Sequence, residues 1–184
     1  MSVFNSRRAY GWAAIALHWI VAVSILLLYL NGEAIEHAVG RAGHIAAVGD
    51  HASLGMALLG FMVLRVLWTL FSPKPDPLPQ HPALRLLSLL VHWALLATIV
   101  VAAITGPLAI WALARPLTAY DWVSIPSPFP SPMRDVHEAC EKIHGLAAHL
   151  FIPLVALHVL GALKHLVIDR DRTLQRMLWV RRGD

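Results

Sequence analysis

Charged side chains are scarce in this chain of 184 residues. Lys, Arg, Asp and Glu make up 14% of it, whereas 58% is hydrophobic and the mean hydropathy is +0.62. A soluble domain normally carries about 25% charged residues. Stretches of about 20 apolar residues, enough for a helix that spans a bilayer, recur along the sequence. We therefore predict an integral membrane protein that is surrounded by lipid, and we expect no nucleic-acid partner.

Cysteine is almost absent, since Cys140 stands alone. A single thiol excludes an intrachain disulfide, a CxxC site and covalent haem attachment through CxxCH. Any haem would therefore be held noncovalently. The first apolar run is long and no small-residue cleavage site follows it, so we expect a retained span rather than a signal peptide.

Four apolar segments are each long enough to cross the bilayer, at about 11–30, 51–71, 84–113 and 137–168. Arg65 lies near the end of the second and is expected to snorkel to the interface. Gly106-Pro107 is expected to kink or end the third. We expect a loop at 31–50 and proline-rich connectors after the second and third spans. The sequence thus predicts one all-α membrane domain, an integral four-helix bundle.

The basic residues indicate the orientation of these spans. Four crossings place both termini and the second connector on one side, where eleven bases are counted: Arg7, Arg8, Arg65, Lys74, Arg85, Lys164, Arg170, Arg172, Arg176, Arg181 and Arg182. The other side has four: Arg41, Arg115, Arg134 and Lys142. By the positive-inside rule, we predict that both termini are cytoplasmic. Seven acids on the outer side make that face mildly acidic: Glu33, Glu36, Asp50, Asp121, Asp135, Glu138 and Glu141.

Histidines within the apolar spans are candidates for function, because ionisable groups are costly in a membrane. His144 and His158 are separated by fourteen residues, which gives about 21 Å of helical rise and nearly the same helix face. His158 matches the depth of His18 in the first span, and His144 matches that of His51 in the second. Pairing His18 with His144 would leave a mismatch of nearly 20 Å. Two cross-helix pairs are therefore predicted, one in each leaflet.

The ligand that suits such pairs is haem b. Zinc requires four ligands, and the relevant parts of the spans supply no acid. Porphyrin iron already has four nitrogens and needs only two axial ligands, which a pair of histidines provides. Small residues near the histidines would let a flat macrocycle approach the backbone, although helix packing also favours them: Gly55, Gly60, Gly145 and Gly161.

Four motifs carry a resemblance that covers nearly the whole chain: ALHW at 16–19, DHASLG at 50–55, KIHG at 142–145 and ALHVLGALKH at 156–165. Together they resemble the bacterial cytochrome b561 family, multi-pass di-haem b proteins of the inner membrane. The resemblance implies electron transfer between the quinone pool and the periplasmic face. It also implies that His18 and His158 ligate the cytoplasmic-side haem, and His51 and His144 the periplasmic-side haem.

Two further histidines lie near the cytoplasmic-side pair. Depth alone would allow His92 to replace His18 as a ligand, and the resemblance favours His18. In the related superoxide:ubiquinone oxidoreductases, histidines at positions like His92 and His165 lie where quinone binds. An imidazole can donate a hydrogen bond and supply a proton. The alternative is that these two bind haem propionates or cap helices.

The remaining histidines receive no site. His149 is about 140° round the helix from His144 and is interpreted as structural. Four others are expected to be solvated: His37, His44, His81 and His137.

The resemblance implies that superoxide donates one electron at a time at the periplasmic side, with ubiquinone as acceptor. We assign no catalytic residue. Superoxide is steered by positive potential, which Arg115, Arg134 and Lys142 would have to supply on an otherwise acidic face. The alternative is a haem-bearing anchor and electron conduit between the quinol pool and a periplasmic redox protein. A haem-free structural bundle is the third hypothesis.

Overall fold

The computed structural model describes residues 2–178, and in that part of the chain four helices are long and apolar enough to cross a membrane. The prediction of an all-α membrane bundle is confirmed. The helices are α1 (Trp12–Glu36), α2 (Gly40–Phe71), α3 (Pro82–Trp111) and α4 (Arg134–Lys164). We call the end of the bundle where α1 begins and α4 ends the inner end, and the opposite end the outer end.

The segment 31–50, predicted as a loop, is helical except at 37–39. Alanine, isoleucine and glutamate outweigh the glycines and histidines there, and each favours a helix more than glycine does. Gly40 has φ +72°, a left-handed conformation that glycine adopts without strain. It allows the chain to reverse between α1 and α2 with three connecting residues. Both helices therefore extend further at the outer end than the predicted spans.

Two prolines, one at the start and one inside, are accommodated in helix α3. His81 caps it, since its Nδ1 accepts a hydrogen bond from the Ala83 amide at 3.3 Å, and Pro82 occupies the first helical position, where proline is tolerated. The helix passes through Pro107 and ends at Trp111. Of the two predicted effects of Gly106-Pro107, the end of the helix is wrong, because a single missing amide donor does not terminate a helix that packs against its neighbours, and the kink stays a prediction.

A short hairpin lies between α3 and α4 and was not predicted. Its strands are β1 (Leu117–Ala119) and β2 (Val123–Ile125), antiparallel with Leu117 opposite Ile125. β1 packs against α2, and Leu117 and Ala119 are buried. The outer connector is therefore folded onto the bundle.

A π-helical turn (His165–Asp169) continues α4, and a short helix α5 (Gln175–Leu178) follows. The Trp19 indole donates to the Met177 carbonyl at 2.8 Å, and the Arg176 guanidinium donates to the Asp76 carbonyl at 2.9 Å. The N-terminal segment joins the same connector, because the Asp76 amide donates to the Arg7 carbonyl at 2.8 Å. The inner end is thus closed by both terminal segments. Arg181 and Arg182 lie outside the described residues, and the cytoplasmic placement of the termini stays a prediction.

The helices pack as two pairs, α1 with α2 and α3 with α4, and α2 also packs on α3. Helix α4, by contrast, makes at most isolated close backbone approaches to α1 and α2. Among the described residues, the buried side chains are mostly small, and no large side chain is fully buried. The backbone of α4 is therefore held further from α1 and α2 than from α3.

Candidate haem-binding centre

Two pairs of histidine rings face each other across the bundle. His18 of α1 and His158 of α4 have ring centres 6.1 Å apart, and His51 of α2 and His144 of α4 have ring centres 6.0 Å apart. His18 follows the start of α1 by six residues, and His158 precedes the end of α4 by six. The rings expected to pair by depth are therefore adjacent, one pair toward each end of the bundle. Their role as haem ligands stays a prediction.

The ring separation suits a metal ion between the imidazoles. A metal bonded to two opposite imidazoles places the ring centres about 6 Å apart, because each bond is about 2 Å and each nitrogen lies about 1 Å from its ring centre. A direct hydrogen bond between the rings would bring the centres about 1 Å closer. No direct hydrogen bond joins either pair, although all four residues are in the described part of the chain.

Two glycines near the α4 histidines would accept a Cβ atom without a clash. Gly145 and Gly161 are half-buried, and a Cβ atom added to either would meet no atom within 4 Å. A Cβ atom at Gly55 would meet only the Leu28 side chain at 3.7 Å, whereas Gly60 is exposed at the surface of the bundle. A flat macrocycle needs room of this kind next to its axial ligands. The residues present therefore fit haem b.

The outer pair has one oriented ring and one buried ring nitrogen without a partner. The Thr105 hydroxyl donates to the Val101 carbonyl at 2.8 Å, so its oxygen is available to accept from His144 Nδ1 at 3.3 Å. That contact favours a proton on Nδ1 and leaves Nε2 as the ligand atom, as is usual at metal centres. Nδ1 of His51 is buried with no hydrogen-bond partner, although the Leu28 carbonyl lies near it.

One spacing organises both ends of the bundle. Each long helix carries two residues, fourteen apart, at the levels of the two pairs: His18 and Gly32 on α1, His51 and Arg65 on α2, His92 and Gly106 on α3, His144 and His158 on α4. We call Gly32, His51, Gly106 and His144 the outer layer, and His18, Arg65, His92 and His158 the inner layer. Fourteen residues are close to four helical turns, so each helix presents both members on nearly one face.

The outer-layer glycines touch the histidines directly. A Cβ atom at Gly106 would lie 3.0 Å from Cε1 of His144, and one at Gly32 would lie 3.6 Å from Cε1 of His51. These contacts were not predicted, although the repeated spacing of fourteen was present in the sequence. The glycines let α1 and α3 approach the outer pair closely.

The inner layer has two additional polar residues. His92 lies against His158 with ring centres 5.1 Å apart, and its Nδ1 is 2.6 Å from the Ser88 carbonyl. Arg65 is half-buried and interacts electrostatically with both His18 and His158. Its position fourteen residues after His51 puts it on nearly the helix face that carries His51, and its extension to the interface stays a prediction.

His165 lies in a different cluster. Its Nδ1 is 2.7 Å from Asp171 and 3.1 Å from Asp169, in the π-helical turn and the segment that follows it. Burial acts to raise the pKa of Asp171, but hydrogen bonds from Thr173 and His165 outweigh it and hold this pKa below its ordinary value. The structure places His92 beside the inner pair and His165 in the contacts that fold the C-terminal segment.

The other histidines hold helices in place or face outward. His137 was expected to be solvated, but it is half-buried and its Nδ1 donates to the Ala109 carbonyl at 2.9 Å, which joins α4 to α3. His149 is exposed and bonds the Gly145 carbonyl at 2.7 Å. His37 and His44 are exposed.

A membrane four-helix bundle with two cross-helix histidine pairs at two depths has the architecture of a transmembrane b-type cytochrome. The chain belongs to the prokaryotic cytochrome b561 family, whose model matches residues 9–179. Membership makes it a multi-pass protein of the bacterial inner membrane that acts in transmembrane electron transfer, and it implies b-type haem.

Three relatives span nearly the same length. The chain is 31% identical to cytochrome b561 homolog 2 of Escherichia coli (strain K12), over 97% of this chain and 95% of the relative. It is 25% identical to cytochrome b561 homolog 1 of the same organism, over 97% and 98%. It is 24% identical to the probable superoxide oxidase CybB of Yersinia pestis, over 96% and 99%.

Proposed function

We propose that the protein binds two haems b and transfers electrons between a one-electron donor at the periplasmic face, best matched by superoxide, and ubiquinone in the membrane. His51 and His144 would hold the periplasmic-side haem, and His18 and His158 the cytoplasmic-side haem. The observation that carries this proposal is the pair of ring separations, 6.1 Å and 6.0 Å. When bound, the haems supply reversible one-electron chemistry at two depths.

The protein's own residues fix where that chemistry takes place. Helix α4 contributes one ligand at each level, so the fourteen residues between His144 and His158 set a separation of about 21 Å along the helix. Thr105 orients the His144 ring through Nδ1. The glycines at 32 and 106 bring the backbones of α1 and α3 against the outer pair.

Two superoxide anions are needed to reduce one ubiquinone. Each superoxide gives up one electron and becomes dioxygen, and ubiquinone takes up two electrons and two protons to become ubiquinol. The relative named as a probable superoxide oxidase supports this substrate. Superoxide is an anion, and exposed bases at the outer end would attract it: Arg115, Arg134 and Lys142.

At the inner end, His92 is the residue best placed to act on ubiquinone. Its ring is exposed and lies against His158, and an imidazole both donates hydrogen bonds and transfers protons near neutral pH. His165 is the second residue that we propose for the quinone region. Its contact with Asp171 positions it in the segment that closes the inner end. The alternative role for both is to bind haem propionates.

A second candidate function is that of a haem-bearing anchor and electron conduit from the quinol pool to a periplasmic redox protein. Acidic side chains that are exposed at the outer end favour it, because they would complement a basic protein surface: Glu36, Asp50, Asp121, Asp135, Glu138 and Glu141.

Superoxide consumption by haem-replete protein in liposomes that contain ubiquinone distinguishes the two functions. We expect superoxide to disappear faster than by its own dismutation, with ubiquinol formed at half the molar amount. Protein that has both haems but neither consumes superoxide nor forms ubiquinol would contradict superoxide oxidation and favour the conduit. The His149→Ala variant, altered on the outward side of α4, is the matched control.

A further inference from the structure

Arg65 occupies the place on α2 that corresponds to His51 at the other level. Fourteen residues separate them, as they separate His144 from His158 on α4. Because α2 turns the His51 ring toward α4, it turns Arg65 toward the inner pair as well. Arg65 is half-buried, and His18 and His158 are near enough for its charge to act on them.

No described carboxylate compensates the charge of Arg65. Among residues 2–178, the ion pairs involve other bases, and the guanidinium forms no hydrogen bond. A partly buried charge that lacks a partner is costly. It becomes favourable when negative charge arrives next to it, whether as an acidic group of the cofactor or as an added electron.

The outer layer contains no corresponding charge. At the outer level, α1 and α3 contribute Gly32 and Gly106, and α2 contributes only the ligand His51. Both layers therefore contain the same pair of imidazoles, and among the eight layer positions Arg65 alone carries a permanent charge. Electrostatic surroundings of this kind set the potential of a haem whose axial ligands are otherwise the same.

We propose that Arg65 makes the inner site the stronger electron acceptor of the two, and thereby directs electrons from the outer face toward the quinone at the inner end. A nearby positive charge stabilises the reduced, more negative state of a site. This inference rests on the proposed binding of haem at both pairs, and it adds a residue that sets the relative potentials of the two sites.

Potentiometric titration of the haem absorbance tests the inference in the wild type, Arg65→Gln, Arg65→Lys and Arg85→Gln. The inner signal is identified as the one that His51→Ala retains. We expect Arg65→Gln to make reduction of the inner site at least tenfold less favourable, a fall of about 59 mV for a one-electron couple, with the outer signal unchanged. Arg65→Lys keeps the charge and should restore most of the potential.

Arg85 is the matched control, because it is exposed in the first turn of α3 at the same end of the bundle. Arg85→Gln removes the same charge and should leave both potentials in place. Equal shifts in Arg65→Lys and Arg65→Gln, or no shift in either, would overturn the inference. If Arg65→Gln loses a haem, the wild type still tests the inference. A wild-type reduction potential that is lower at the inner site than at the outer site would overturn it. Wild-type protein without haem would instead refute the proposed function.

Discussion

A methyl group placed at Gly106 should disturb the outer histidine pair and spare the inner one. The added Cβ would lie 3.0 Å from Cε1 of His144 and 3.3 Å from its Nδ1. Carbon atoms in contact prefer a separation of about 3.5–4.0 Å, so the ring must move by roughly 0.5 Å. That movement alters both the 6.0 Å separation from His51 and the contact with Thr105.

We expect Gly106→Ala to weaken haem binding at the outer pair by about tenfold, at the lower end of what disturbed outer-shell contacts cost a metal site. Haem content and reduced-minus-oxidised spectra of the purified variant measure the effect. Gly32→Ala is a close control, since its Cβ would lie at an ordinary 3.6 Å from the His51 ring. Both substitutions raise helix propensity by up to about 1 kcal/mol, so a general change in helix stability affects them alike. Equal spectra for the two variants would refute the reasoning.

Three further predictions follow from the described contacts. Alanine at either ligand of a pair should remove that pair's haem and leave the other, whereas His149→Ala should leave both; haem spectra decide this for the variants at His18, His51, His144 and His158. Thr105→Val should weaken the outer haem about tenfold without changing the inner one, and equal loss of both haems would contradict the orienting role of the hydroxyl. The pKa of Asp171 lies below its ordinary value, so its contact with His165 stabilises the C-terminal segment at neutral pH and is lost as the pH falls through that lowered pKa. Below about pH 4, the backbone amides of 165–178 should therefore be less protected from hydrogen exchange, relative to their intrinsic rates. Asp171→Asn should already show this lower protection at neutral pH.

Helical periodicity made the histidine pairs predictable. Depth along a helix depends only on residue number, so His144 and His158 could be matched to partners on other helices without a structure. The same argument extends to Arg65, whose distance from His51 repeats that of the α4 pair. Considered alone, the end of an apolar span favours snorkelling of Arg65, whereas the register with His51 puts it on the face that carries that histidine.

Other features depend on contacts that no single segment specifies. The hairpin forms because Leu117 and Ala119 bury against α2, and strands of three residues leave little periodic signal. Residues 40–50 are helical, but they contain glycines that would also suit a loop. Weak intrinsic propensities alone separate the helix from the loop in this segment. His137 looked solvated at a helix end, but the Ala109 carbonyl of α3 provides its acceptor.

The amount of haem b bound per protein chain tests the central claim most directly. Purified protein should contain two haems b per chain, both low-spin with two histidine ligands, and the His144→Ala variant should contain one. One haem or none in fully loaded wild-type protein would contradict the account of two histidine pairs as two haem sites.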